Sequence, residues 1–159
     1  MINIYYTADN ETAKILSNLA ETPFELDGAK YSSVEGFWQS LKFPKGSEER
    51  RNISELSGKE AKKAGKSATN ITEISYLGKK IISGFDEHKK LMKRALKAKF
   101  EQNPEAMKIL LATGDALLIH EPTTTGGMPM PDSKTIPGDE LAIMLMDIRE
   151  DLKKLTINN

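Results

Sequence analysis

The stretch YSSVEGFWQSLKF, Tyr31 to Phe43, decides how the chain is read, because it holds the one tryptophan, Trp38, at what reads as the start of a helix. At about 100° per residue, Val34, Phe37 and Leu41 share one arc, which predicts the core side. Glu35, Trp38, Gln39 and Lys42 follow i, i+3, i+4, i+7 and share another arc. A solvated face normally carries charges without a large aromatic. Here an indole stands among a carboxylate, an amide and an ammonium, which is how ligand sites are commonly built. The plain alternative is a surface stripe with a partly buried indole. Ser32 and Glu35 also fit S-x-x-E, the capping box, in which the glutamate reaches back to the N-cap amide. Glu35 is therefore either a helix cap or a carboxylate that does chemistry. Under both readings the unpaired amides and dipole of a helix start favour its charged form. Pro44 and Gly46 are expected to end the helix.

Upstream, INIYY reads as a short strand, and ADNETAKILSNLAE as a helical turn or loop ending near Asn18. TPFELDGAKYSS has the form of a hairpin turning at Asp27-Gly28. Downstream, Ser47 is expected to cap a short helix, and Ser57 another with Glu60 completing a capping box. Ala61, Ala64 and Ala68 would line one narrow side of that second helix. DEHKKLMKRALKAKF is a helix by pattern. Asn103 is the expected N-cap of the next one, with Pro104 first and Gly114 ending it. ALLIH reads as a short strand or buried run. EPTTTGGMPMPDSKTIPGD, Glu121 to Asp139, is the long irregular segment, of a kind that often serves as a lid. DELAIMLMDIREDLKKL is amphipathic, with Leu141, Leu145, Ile148 and Leu152 in one stripe. The expected fold is helix-rich α+β with a few short strands, as a single domain over residues 1–159.

The charges balance, 23 basic against 23 acidic, which argues against a broad non-specific nucleic-acid or membrane surface while leaving room for a local basic pocket. There is no cysteine, and His88 and His120 are the two histidines, so neither a thiolate nor a histidine-rich metal site is expected. MINIYYTADN has neither the basic start nor the apolar core of a signal peptide, and no apolar run approaches spanning length. The expectation is a soluble, cytoplasmic protein without a membrane segment. The sequence does not specify an oligomeric state.

Two cations stand out. Lys99 falls inside the apolar arc of its helix, between Ala95 and Leu96. It either snorkels at the helix end or lines a phosphate or carboxylate pocket. Arg149, at the edge of the last apolar stripe, is either a rim residue in a surface ion pair or a pocket residue.

The ordered set of these segments resembles the NADAR superfamily, the YbiA-like proteins. Ser17-Asn18, Phe24, Ser33, Glu35, Gln39, Lys42 and Phe43 match the family's opening pattern. The likeness continues through Ala61 to Gly65 and through MKRALKAKFEQNPEAMKILLATGDALLIH. It closes at LAIMLMDIRE. His120 matches the family's position after the strand. The chain departs from the family at the Trp-containing stretch expected before the last helix, where it has no tryptophan; that departure bears on substrate identity.

The resemblance implies cleavage of an N-glycosidic bond without cofactor or metal. The substrates it implies are a small-molecule nucleotide, a ribosyl phosphate such as a riboflavin-pathway ribosyl-pyrimidine, or an ADP-ribosyl compound such as ADP-ribosylated guanine in DNA. Breaking a ribose C1–N bond develops oxocarbenium charge, which carboxylates stabilise in the analogous glycosidase reaction. On that reading Glu35 faces the charge, while Lys42 and Lys99 hold phosphate or protonate the departing nitrogen. Trp38, Phe43 and Phe100 would pack on base or sugar. Asn18, Ser33 and Gln39 would orient hydroxyls, and His120, Asp132 and Arg149 would complete substrate binding. The competing class is a module that binds ADP-ribose or NAD without turnover. A purely structural interaction protein is a third, disfavoured by the inward Lys99 and the polar face around Trp38.

Overall fold

The computed structural model describes residues 1–6, 10–68, 72–123, 128 and 135–158. In chain order the elements are β1 (Ile2–Asn3), α1 (Glu11–Leu16), β2 (Phe24–Leu26), β3 (Ala29–Tyr31), α2 (Val34–Ser40), α3 (Glu48–Ser54) and α4 (Gly58–Ala64). A 3-10 turn (Gly65–Ser67) follows, then β4 (Glu73–Tyr76), β5 (Lys79–Ile82), α5 (Asp86–Gln102), α6 (Pro104–Ala112), β6 (Leu118–Ile119) and α7 (Gly138–Ile157). The fold is α+β and helix-rich. Its strands, among the described residues, form three two-stranded ladders: β1 with β6 in parallel, and two antiparallel hairpins, β2–β3 and β4–β5.

The chain divides into two compact units, Asn18–Asn103 and Met1–Ser17 with Pro104–Asn159. The first is built around α2. Its apolar arc, Val34, Phe37 and Leu41, is buried as the spacing predicts. Phe37 is the centre of an aromatic cluster, with ring centroids 4.8 Å from Tyr31, 5.9 Å from Tyr76 and 6.1 Å from Phe24. Both hairpins thus converge on one helical side chain. Leu91, Met92, Ala95, Leu96 and Phe100 of α5 complete the core. Burial of each of the larger side chains, Leu, Met and Phe, contributes about 1.5–3 kcal/mol relative to exposure.

The turn of the first hairpin holds the unit together. Asp27 and Gly28 have φ of 49° and 82°, the type I′ geometry expected of Asp-Gly. From that turn Asp27 accepts hydrogen bonds from Tyr76 of β4 (2.5 Å) and Arg94 of α5 (2.7 Å). The Arg94 bond, ahead of the Tyr76 bond, holds the Asp27 carboxyl below the usual carboxylate range. The second hairpin is absent from the sequence reading. It turns at Leu77-Gly78, also with two positive φ values, 48° and 77°.

In the other unit, Leu141, Leu145, Ile148 and Leu152 of α7 are buried as their stripe predicts, together with Leu118 of β6 and Leu110 of α6. Arg149 is buried. Its Nη1 donates to the Thr113 hydroxyl and the Ala116 carbonyl, both at 2.9 Å, so it fixes the turn after α6.

Several local expectations need correction. The cap of α2 is Ser33 rather than Ser32, and its Oγ accepts from the Gly36 amide at 2.8 Å. The proposed Ser32–Glu35 capping box does not form, because the Ser32 amide donates to Ser54 O. Ser57 does occupy the N-cap of α4, without a side-chain cap bond. Asn103 donates its side-chain amide to Lys99 O and Pro23 O, tying the end of α5 to the chain before β2. Helix α2 ends at Ser40, before Pro44, and tightens through Lys42 N→Gln39 O and Phe43 N→Ser40 O bonds. Ala68 lies beyond the 3-10 turn, so it does not continue the small-residue side of α4.

Candidate active site

Helix α2 starts where three segments meet. Glu35 N donates to Asn18 O (2.8 Å), Ser33 Oγ donates to Leu56 O (2.8 Å), and Gly58 N donates to Leu19 O (2.7 Å). Gly36 lets α2 come this close: a Cβ there would sit 2.5 Å from Leu56 O. Two first-turn amides, which a helix leaves without internal partners, are thus satisfied, that of Glu35 by Asn18 O and that of Gly36 by the Ser33 cap.

On this base Glu35 is buried, 7% exposed, and its Oε1 accepts from Gln39 Nε2 at 2.8 Å. The i, i+4 spacing on one helix supplies that contact. The other carboxylate oxygen, Oε2, has no hydrogen-bond partner among the described residues and is not fully enclosed. One oxygen is held and the other is open.

One turn on, the half-buried Trp38 ring has the Lys42 ammonium 5.0 Å from its centroid, within cation–π range. Burial lowers the Lys42 pKa, and the nearby Glu35 charge opposes that shift. Glu35, Trp38, Gln39 and Lys42 are therefore one cluster, as their shared arc predicts.

His88 joins it from the first turn of α5. Its ring stacks on Trp38 at 4.3 Å and 30°. Its Nδ1 accepts from Gly84 N at 2.8 Å, which places the neutral ring's proton on Nε2. That Nε2 is enclosed without a hydrogen-bond partner among the described residues. Burial, followed by the Lys42 charge, pushes the His88 pKa down to about 4. The sequence reading gives His88 no role. The signal was present: His88 precedes Leu91, Met92 and Ala95 by three, four and seven residues, on the buried face of α5.

Lys99 is fully enclosed, and burial pulls its pKa from 10.5 down to about 7. Its ammonium lies 5.1 Å from the Phe100 ring centroid. Phe100 is itself fully enclosed, so it serves as core rather than as a ring open to a ligand. Ser33 is likewise enclosed, with its hydroxyl engaged as cap and donor. Asn18 acts on the site through its backbone carbonyl. Phe43 is partly exposed in the turn after α2, where its carbonyl accepts from Arg50. His120 and Arg149 belong to the other unit, where His120 meets Tyr5 edge-on at 5.2 Å. Asp132 and most of the 121–139 loop lie outside the described residues. Among the described residues no group of three or more His, Asp or Glu is placed to hold a metal ion. No helix there is long and apolar enough to cross a membrane.

Residues 11–150 match the family model described as Bacteriophage protein GP30.3. The chain is 31% identical over 155 residues to N-glycosidase YbiA of Escherichia coli strain K12, covering 96% of this chain and 88% of that protein. The same figures hold for N-glycosidase YbiA of Shigella boydii serotype 4. Over 52 residues it is 46% identical to an uncharacterised 17.1 kDa protein of Enterobacteria phage T4, covering 33% of this chain and 34% of that one. The NMR structure of E. coli YbiA matches with a TM-score of 0.67 at 28% identity, covering 99% of this chain and 88% of that one.

Proposed function

The chain belongs to the YbiA-like, NADAR-type family, and on that premise we propose that it is an N-glycosidase. Its substrate on this reading is a ribosyl phosphate or ADP-ribosyl compound, such as a ribosyl-pyrimidine of riboflavin synthesis or ADP-ribosylated guanine in DNA. The observation that carries the reading is the Glu35 carboxylate, with Oε1 fixed by Gln39 and Oε2 open beside Trp38 and Lys42.

In the proposed reaction the C1–N bond breaks with its electron pair leaving on nitrogen, and C1 takes on oxocarbenium character. The Glu35 carboxylate opposes that charge. Being held before the substrate arrives, it needs little reorganisation at the transition state. Water adds its oxygen to C1 and releases a proton, and the departing nitrogen gains one. Lys42 is the assigned donor, since it is partly exposed and burial lowers its pKa, which eases proton release. Lys99, fully enclosed, is assigned no proton transfer or phosphate contact in this reaction. Trp38, backed by His88, is the stacking surface for the base or sugar. No step requires a metal or cofactor.

The test is a panel of ribosyl-pyrimidine phosphate, NAD, ADP-ribose and ADP-ribosylated DNA, with released base or pyrimidine separated by chromatography. Calorimetry with ADP-ribose runs beside it. Release from one substrate class is expected. Tight ADP-ribose binding with no release from any substrate would make the protein a binding module instead.

A further inference from the structure

Gly65 ends α4 at φ −70° and ψ −14°, an ordinary right-handed conformation that any residue adopts. Backbone geometry therefore gives no reason for glycine here, and alanine is intrinsically the better helix residue. The reason is space. A Cβ at position 65 would lie 1.7 Å from Gln39 Oε1 and 2.4 Å from Gln39 Cδ. The Gln39 carboxamide thus lies directly against the bare Cα of Gly65. Its Nε2 donates to Glu35, while its Oε1 is enclosed and has no hydrogen-bond partner among the described residues. Among the described residues no hydrogen bond to Oε1 holds the amide in place. Packing against Gly65 on one side and the Glu35 bond on the other define its position.

We infer that Gly65 is a positioning residue for Glu35, acting through the Gln39 carboxamide. Any side chain at 65 displaces the end of Gln39. That end is flexible, so the protein accommodates the change by swinging the amide away rather than by unfolding. The Glu35 Oε1 bond is lost as a result, and the carboxylate is no longer aimed. The catalytic part of this inference rests on the N-glycosidase reading; the packing part does not.

The experiment is a cycle of Gly65→Ala, Gln39→Ala and the double variant, read in two ways. Side-chain amide NMR follows the Gln39 NH2 group, whose protection from exchange reports its bond to Glu35. Steady-state kinetics on whichever substrate the wild type turns over give kcat and KM. Gly65→Ala is expected to lose the Gln39 protection and to lower kcat by about tenfold or more, with KM changed less than about twofold. The double variant should match Gln39→Ala, because the clash is gone once Gln39 is shortened. Retained Gln39 protection in Gly65→Ala, or independent additive losses in the double variant, would overturn the inference. If Gly65→Ala does not fold, a folded double variant supports the inference and an unfolded one overturns it. If the wild type turns over nothing, the N-glycosidase reading fails while the NMR arm still decides whether Gly65 places Gln39.

Discussion

The Trp38 indole and the His88 imidazole lie 4.3 Å apart between ring centroids, 30° from parallel, with His88 almost completely buried. The Trp38 ring is thus supported by a ring that stays neutral in the fold. The folded His88 pKa is about 4 against 6.5 for the free group, lowered first by burial and then by Lys42. Between those values the unfolded chain binds the proton and the folded chain does not. Stability therefore falls as pH drops from 6.5 towards 4, by roughly 3 kcal/mol at full effect. Urea denaturation at pH 7, 5.5 and 4.5 should show this loss, and His88→Gln should remove most of it. An unchanged slope in the variant would refute the assignment.

Leu77 sits at φ 48° in the second hairpin turn with its side chain largely exposed. A γ-branched residue gains nothing from the left-handed region and loses little packing if replaced. Leu77→Asn should raise stability by about 1 kcal/mol, since asparagine tolerates this conformation. A higher urea midpoint at constant m-value is the expected result.

Burial pulls the Lys99 ammonium from 10.5 to about 7. The folded chain releases this proton near neutrality, whereas the unfolded chain keeps it to about 10.5. In that window the unfolded state binds more protons, so this group's contribution to stability rises with pH. Below pH 7 both states are charged and the desolvation cost is borne in full. Lys99→Met should flatten the rise in urea midpoint between pH 7 and pH 9. A slope equal to wild type would show that Lys99 does not titrate there.

Much of this was legible in residue spacing. The arcs of α2 and α7 and the Asp27-Gly28 turn each rest on local periodicity or turn chemistry, which the fold preserves. The inward placement of Lys99 was legible for the same reason. The β4–β5 hairpin was not, because Leu77-Gly78 lacks the Asn or Asp that normally marks two positive φ values. The cap slipped from Ser32 to Ser33 for a non-local reason: the Ser32 amide is taken by Ser54, 22 positions away. Gly65 was missed on similar grounds, and His88, whose core-facing position its spacing did signal, was missed as the partner of Trp38. Their meaning lies in Gln39 and Trp38 across the unit, and no spacing within their own segments encodes those partners.

The central claim is that Glu35 supplies the charge that stabilises the breaking C1–N bond. The most direct measurement is single-turnover release of base by Glu35→Gln, compared with wild type on the same substrate. Glutamine keeps the shape and a polar contact with Gln39, so the melting temperature should be retained. The account predicts a fall in rate of about a hundredfold or more. A folded Glu35→Gln variant that releases base at the wild-type rate would contradict it.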